Sequence, residues 1–185
     1  VPNPLAMKFE VSDLLLTPGA YEFDSPEAAK ASPLALKLFG FDYVTRVFIA
    51  KNFVTVSKEM EEPTWDELMV DVRIVIKKHL EAREPLFTFD GSKAPEYPAL
   101  GDPTKEAIRD AIEHQINRAT WQDGGEINYV SFEDGVVKVK MAGACIDCPF
   151  APRTIKHGVE VFLKQQFPEV KEVTTADVNW EETQA

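Results

Sequence analysis

Between Glu84 and Pro103 the chain is interrupted more densely than anywhere else. Four of its thirteen prolines (Pro85, Pro95, Pro98, Pro103) fall there with Gly91 and Gly101. Proline lacks the backbone N–H that helices and sheets need, so no regular element is expected to run through this stretch. It divides the 185 residues into a module over 1–84, a linker over 85–103 and a module over 104–185, each needing its own core.

The apolar periodicity in both modules mixes helix and strand. Met7, Phe9 and Val11 alternate with Lys8 and Glu10, the pattern of a half-buried strand. Ser32-Pro33, then Leu34, Leu38 and Gly40, predict a short capped helix. Val44–Ile49 and Phe53–Ser57 are β-rich about a Lys51-Asn52 turn. Thr64-Trp65-Asp66-Glu67 reads as a capping box, followed by Leu68, Val72, Ile76 and Leu80 at helical spacing. Past the linker, Asp102-Pro103 opens a helix whose buried face is expected at Ile108, Ile112, Ile116 and Ala119. Asp123-Gly124-Gly125 ends it, and Asp134-Gly135 between two β-rich runs predicts a hairpin. A Cys-x-x-Cys loop, a helix carrying Ile155, Val159, Phe162 and Leu163, and a last strand near Val170–Thr174 complete the order. The fold class is therefore α+β: two small α+β domains, the second running helix-strand-strand-helix-strand.

Charge narrows the partners. Twenty Lys and Arg against 31 Asp and Glu leave a net charge of −11, which disfavours nucleic acid and anionic membrane surfaces. Both halves are acidic, so neither is a basic nucleic-acid module. No run of about 18 apolar residues offers a membrane span. The first residues lack the pattern of a signal or transit peptide. The default compartment is cytoplasmic, with a mature organellar protein of the mitochondrial matrix as the alternative.

The chain has only two cysteines, Cys145 and Cys148. A disulfide framework is excluded by count, which leaves metal or cluster binding, thiol–disulfide exchange, or no chemistry. Pro149 is expected at the first position of the following helix, which places Cys148 near its N-cap, where the dipole favours a thiolate. Gly143 and Ala144 are small enough to let a bulky inorganic group approach. Two sulfurs are half of what a tetrahedral zinc or a cubane cluster takes. A complete set would need the same pair from a second copy. Thioredoxin-like proteins also place this motif at a helix start, but after a βαβ unit rather than an antiparallel hairpin.

The residues around the pair carry a resemblance. Asp123-Gly124-Gly125, Phe132 through Val139, Gly143-Ala144-Cys145-Ile146-Asp147-Cys148-Pro149, Thr154 through Glu160 and Pro168 through Lys171 resemble the C-terminal domain of NifU and the Nfu iron–sulfur proteins over roughly residues 104–176. Pro2-Asn3-Pro4, Met7-Lys8-Phe9, Ser32 through Ala35, Leu38-Phe39, Val44 through Phe48, Asn52 through Val56 and Trp65 are similar to the Nfu N-terminal domain. The resemblance implies a non-catalytic scaffold or carrier, with no catalytic residue. It would hold a [4Fe-4S] cluster between two subunits, with [2Fe-2S] as a variant, and pass it to apo iron–sulfur proteins. The implied ligands are Cys145 and Cys148, and the implied partners are those acceptors, a cluster donor and a second copy of the chain. The family often has serines after Cys-Pro, whereas this chain has Phe150-Ala151-Pro152-Arg153, which bears on solvent access and partner contacts. The rival functions are a thiol–disulfide oxidoreductase and a zinc-bridged interaction dimer.

Other candidates read more plainly. His79, His114 and His157 are expected on exposed helix faces. Asp147 is expected as a solvated loop carboxylate, Asp123-Gly124-Gly125 as a turn rather than a phosphate cradle, Tyr129 and Phe132 as core strand residues, and Trp65 and Trp121 as packing residues.

Overall fold

The computed structural model describes residues 3–11, 15–60, 63–92, 97–146 and 148–176. They form two compact units that divide between Glu96 and Tyr97.

In the N-terminal unit, β1 (Ala6–Glu10), β2 (Thr17–Phe23), β3 (Val44–Lys51) and β4 (Phe53–Lys58) make an antiparallel sheet in the order β1-β4-β3-β2. Strand β2 was not foreseen, because Pro18 and Gly19 depress strand propensity; the register shift between Thr17 and Ala20 accommodates them. The β3–β4 hairpin turns at Lys51, which holds a positive φ of 49°. Helix α1 (Pro33–Leu38) is capped by the Ser32 hydroxyl, which accepts from the Ala35 N–H. In α2 (Trp65–Glu81) the Glu67 carboxylate accepts from the Thr64 N–H at 2.9 Å. Leu34, Leu38, Val47, Ile49, Val54, Val56 and Val72 form the fully buried centre of this core.

The predicted linker is shorter than residues 85–103. Phe87 is buried and stacks with Phe89 at 4.9 Å, both against Tyr21. The Thr88 N–H donates to the Ala31 carbonyl, the Ser32 hydroxyl to Leu86 and the Thr17 hydroxyl to Gly91. Aromatic burial outweighs the loop-forming prolines here. On the other side, the Leu100 N–H donates to Glu106, and Arg109 donates to the Pro98 carbonyl while lying over the Tyr97 ring. Pro95 lies outside the described residues.

His79 is buried rather than on an exposed face. Nε2 lies 3.2 Å from the Pro85 carbonyl, which can only accept, so Nε2 carries the proton. Nδ1 is then free to accept from the Lys37 ammonium at 3.3 Å, and Lys37 also pairs with Glu84 at 2.6 Å. Burial first, then Lys37, holds the imidazole pKa below its ordinary value. A helix end and a returning segment need a shared polar partner, which the apolar periodicity of α2 does not announce.

In the C-terminal unit, α3 (Pro103–Ala111) is capped by Asp102, whose carboxylate accepts from Thr104 and Lys105. It continues through a π-helical stretch, Ile112–Ile116, into α4 (Asn117–Thr120). Strands β5 (Gly125–Glu133) and β6 (Val136–Gly143) form the antiparallel hairpin, and β7 (Glu172–Thr175) adds in parallel to β6. The hairpin turns on Asp134 (φ 53°) and Gly135 (φ 88°), both left-handed as a type I′ turn requires. Helices α5 (Ala151–Arg153) and α6 (Glu160–Gln166) flank a second π-helical stretch, Thr154–Val159. Ile108, Ile112, Ile127, Val137, Val139, Leu163 and Val173 are fully buried.

The expected buried face of the first helix is correct at Ile108 and Ile112 and shifts beyond them. Ala119 is exposed, while Asn117 and Thr120 are buried. The π-helical turn inserts an extra residue per turn and rotates the later positions. Asn117 then reaches β5: its amide donates to the Ile127 carbonyl at 2.9 Å and accepts from the Ile127 N–H at 2.8 Å. The Thr120 hydroxyl donates back to the Asn117 side-chain oxygen.

Candidate metal centre

The two cysteines belong to the connection between β6 and α5. At its upstream edge Gly125 and Gly143 are paired across β5 and β6. Gly124, at φ 83°, closes the preceding helical turn in the left-handed conformation. Its carbonyl accepts from the Ala144 N–H at 3.1 Å. Gly143 takes φ 60° and lets β6 turn sharply. The Cys145 N–H donates to Ala142 and the Ile146 N–H to Gly143, which folds the segment back on the strand end. The Cys148 carbonyl accepts from the Ala151 N–H at 2.9 Å, which ties the second cysteine to the start of the next helix.

Gly125 has a separate role. A Cβ there would lie 2.4 Å from the Cys145 sulfur and 2.8 Å from its nitrogen. No side chain fits, so the strand backbone itself forms the wall against which Cys145 rests. The sequence treats Gly124-Gly125 as one turn. A single left-handed glycine already ends the helix, and the unexplained second glycine was the available signal.

Cys145 and Cys148 are both partly exposed free thiols, and both pack against the edge of the buried core. Partial exposure on a turn leaves both sulfurs within reach of solvent and of a bound group. The expectation that Cys148 stands at a helix N-cap needs correction. The helix begins at Ala151 with Phe150 at the cap and Pro152 in the first turn. Pro152, rather than Pro149, takes the position where a missing N–H goes unnoticed. Cys148 is held by the turn ahead of the helix.

Two thiolates suit a soft metal or iron–sulfur cargo and complete none of the usual four-ligand sets. Among the described residues, no group of three or more His, Cys, Asp or Glu side chains gathers into a further ligand cluster. His157 lies exposed on the following helix and His114 is exposed on the first. Asp147 lies outside the described residues. Phe150 is 39% exposed beside the pair.

Glu126 follows Gly125 and is buried, accepting from the Trp121 indole N–H at 2.8 Å. Trp121 is thus a polar anchor as well as a packing residue. Burial raises the pKa of Glu113, with Arg109 and His114 pulling the other way. Tyr129 and Phe132 pack against the core from the hairpin, as expected. On the far side, burial disfavours ionised Glu160, but hydrogen bonds from Lys164, the Val173 N–H and Lys156 outweigh it and bring its pKa down to about 2. Glu160 thereby clamps α6 to β7. No described helix is long and apolar enough to cross a membrane.

Two family models match the chain: the NifU-like domain over residues 108–174 and the N-terminal domain of scaffold protein Nfu/NifU over residues 1–83. The human NFU1 iron-sulfur cluster scaffold homolog, mitochondrial, is 34% identical over 172 residues, 93% of this chain and 68% of that protein. Arabidopsis thaliana NifU-like protein 5, mitochondrial, is 35% identical over 177 residues, 93% of this chain and 64% of its own length. The Drosophila persimilis NFU1 homolog is 36% identical over 174 residues, 93% of this chain and 61% of its own. The chain therefore spans roughly two thirds of the relatives it matches, all three of which are named mitochondrial. Two of them carry the name of a scaffold, and none that of an enzyme.

Proposed function

The chain belongs to the Nfu family of iron–sulfur cluster scaffold proteins, and on that premise we propose that two copies hold a [4Fe-4S] cluster between them and pass it to apo-proteins. The observation that carries this reading is the ligand shortage at an accessible turn. One chain has two cysteines, both partly exposed on a loop that packs closely against Gly125. Cys145 and Cys148 of each copy would supply the four thiolates of a cubane. A cargo whose ligands come from two separable copies is lost when they part, which suits delivery better than permanent storage.

Each module then has a task. The C-terminal unit carries the cargo, and the N-terminal unit recognises partners. A short tether between them raises the effective concentration of cargo at a bound acceptor. A mitochondrial compartment agrees with the names of the relatives.

Anaerobic reconstitution of the full chain with ferrous iron and sulfide tests the reading. The expected product is a dimer with about one cubane per two chains, read by iron and sulfide content and by mass under native conditions. Cys145→Ala and Cys148→Ala are each expected to abolish loading. A monomer that retains a complete cluster overturns the shared site. Zinc without acid-labile sulfide in protein isolated under nitrogen favours a zinc-bridged dimer instead.

A further inference from the structure

Strand β1 is an edge of its sheet, and its outer side faces a groove of about 380 Å³. Five consecutive residues of the chain, Met7 through Val11, line this groove together with Met69, Arg73, Ile76, Lys77, Leu80 and Glu81 of α2. Consecutive residues on a strand alternate between its faces. A lining that includes all five therefore runs along the backbone edge.

The hydrogen bonds of β1 fix which groups that edge offers. Val11 donates to Asn52 at 2.7 Å, and Lys58 donates to Leu5 at 2.8 Å. In an antiparallel register these bonds place the odd-numbered residues toward β4. The N–H and C=O groups of Lys8 and Glu10 point outward, and no described residue pairs with them. On the helix side, Met7, Phe9 and Val11 join the apolar core with Met69, Ile76 and Leu80. The rim is charged. Lys8 pairs with Glu10 at 3.8 Å and Lys77 with Glu81 at 3.7 Å, while Arg73 is exposed and has no carboxylate partner among the described residues.

We propose that the β1 edge and its groove dock an extended, acidic peptide segment of a partner protein, which adds a fifth strand to the sheet. Free main-chain donors and acceptors in register select another extended backbone over a helix or a small molecule. Alternate apolar side chains of the incoming strand fill the space between β1 and α2. Arg73 supplies the charge preference: it has no carboxylate partner among the described residues, and one carboxylate on the α2-facing side of the incoming strand, among its apolar side chains, completes it. This locates the partner recognition proposed above for the N-terminal unit. It does not depend on the cluster, so a test on cluster-free protein separates the two readings.

The probe is a fluorescein-labelled, end-blocked peptide long enough to cover β1, with serine at alternate positions and valines plus one glutamate on its other face, titrated into the full cluster-free chain. Glu10→Pro removes an outward N–H without touching the β4 ladder, the one kind of strand position where proline is tolerated. Glu10→Ala controls for the lost charge. Expected are saturable binding to the wild type and to Glu10→Ala, and at least about tenfold weaker binding to Glu10→Pro, with unchanged thermal melts. Arg73→Glu, on the exposed side of a helix, is expected to weaken this peptide and to favour a version with lysine in place of the glutamate. Absence of binding overturns the proposal, as does binding indifferent to Glu10→Pro and Arg73→Glu. It is equally overturned if the cluster-free chain dimerises through this edge, with Glu10→Pro abolishing the dimer and the peptide failing to compete.

Discussion

The two units solve the same problem with different materials. Each packs helices on a small sheet, and each buries a polar side chain where a helix meets a neighbouring segment. In the N-terminal unit this is His79, embedded in a core thick with Phe, Leu and Val, and holding Pro85 on one side and Lys37 on the other. In the C-terminal unit it is Asn117, gripping both backbone groups of Ile127. The N-terminal unit tolerates exposed edges and closes itself by apolar packing. The C-terminal unit is governed by close backbone approaches around one turn, with Gly125, Gly143 and Asn117 as its fixed points. Close backbone approaches of this kind hold the cysteine turn in one geometry, whereas apolar packing fixes the N-terminal unit.

The largest expected effect breaks the second unit and spares the first. In Gly125→Val the new side chain collides with the Cys145 sulfur and nitrogen, and overpacking against backbone costs about 3 kcal/mol or more. Cluster loading should fall to background while the N-terminal unit melts as before, which differential scanning calorimetry with iron analysis resolves. Equal losses in both transitions would show that Gly125 supports the whole chain rather than the cysteine turn. Asn117→Ala comes next. It strands the Ile127 N–H and carbonyl, at about 2–3 kcal/mol for the buried pair. Hydrogen exchange at β5 should accelerate with no change in β1–β4.

Much of this division was legible in the sequence. The Ser32, Thr64 and Asp102 caps, the Asp134-Gly135 turn and the Cys145–Cys148 pair are local signals that can be read within a few residues. What escaped depends on distant partners. Strand β2 hides behind Pro18 and Gly19 and forms because β3 offers it a ladder. Phe87 and Phe89 sit in a proline-rich stretch that reads as linker until Tyr21 is known to wait beneath them. The π-helical stretch that turns Asn117 inward has no periodic signature of its own. In the site the two cysteines were visible, but the wall was not. Gly125 matters because of what stands across from it.

A smaller effect concerns the clamp on β7. Glu160 is ionised down to about pH 2 when folded but titrates near 4.3 when unfolded. Its contribution is therefore complete above about pH 4.3 and is lost as pH falls through about 2. Glu160→Gln should cost the C-terminal unit about 1–2 kcal/mol at neutral pH, discounted because Lys156 and Lys164 are partly solvated. Urea titration at neutral pH and at pH 3 checks both size and direction: the difference between wild type and variant should shrink in acid.

The smallest and most selective effect is carried by His79. Its folded pKa lies below the ordinary value because burial and the Lys37 ammonium both oppose a second positive charge, with Glu84 acting weakly against them. The unfolded chain therefore takes up the proton first. Stability from neutral His79 is whole above about pH 6.5 and drains below it, with a slope of at most about 1.4 kcal/mol per pH unit for one proton. Protonation also removes the acceptor that faces Lys37, so that ammonium is left with Glu84 alone. Thermal melts between pH 7.5 and pH 5 should lower the N-terminal transition as His79 takes up its proton. His79→Gln, which keeps a donor for Pro85 and an acceptor for Lys37, should flatten that pH dependence. A variant that melts with the same acid sensitivity as the wild type would assign the effect to another group and dissolve the parallel between His79 and Asn117.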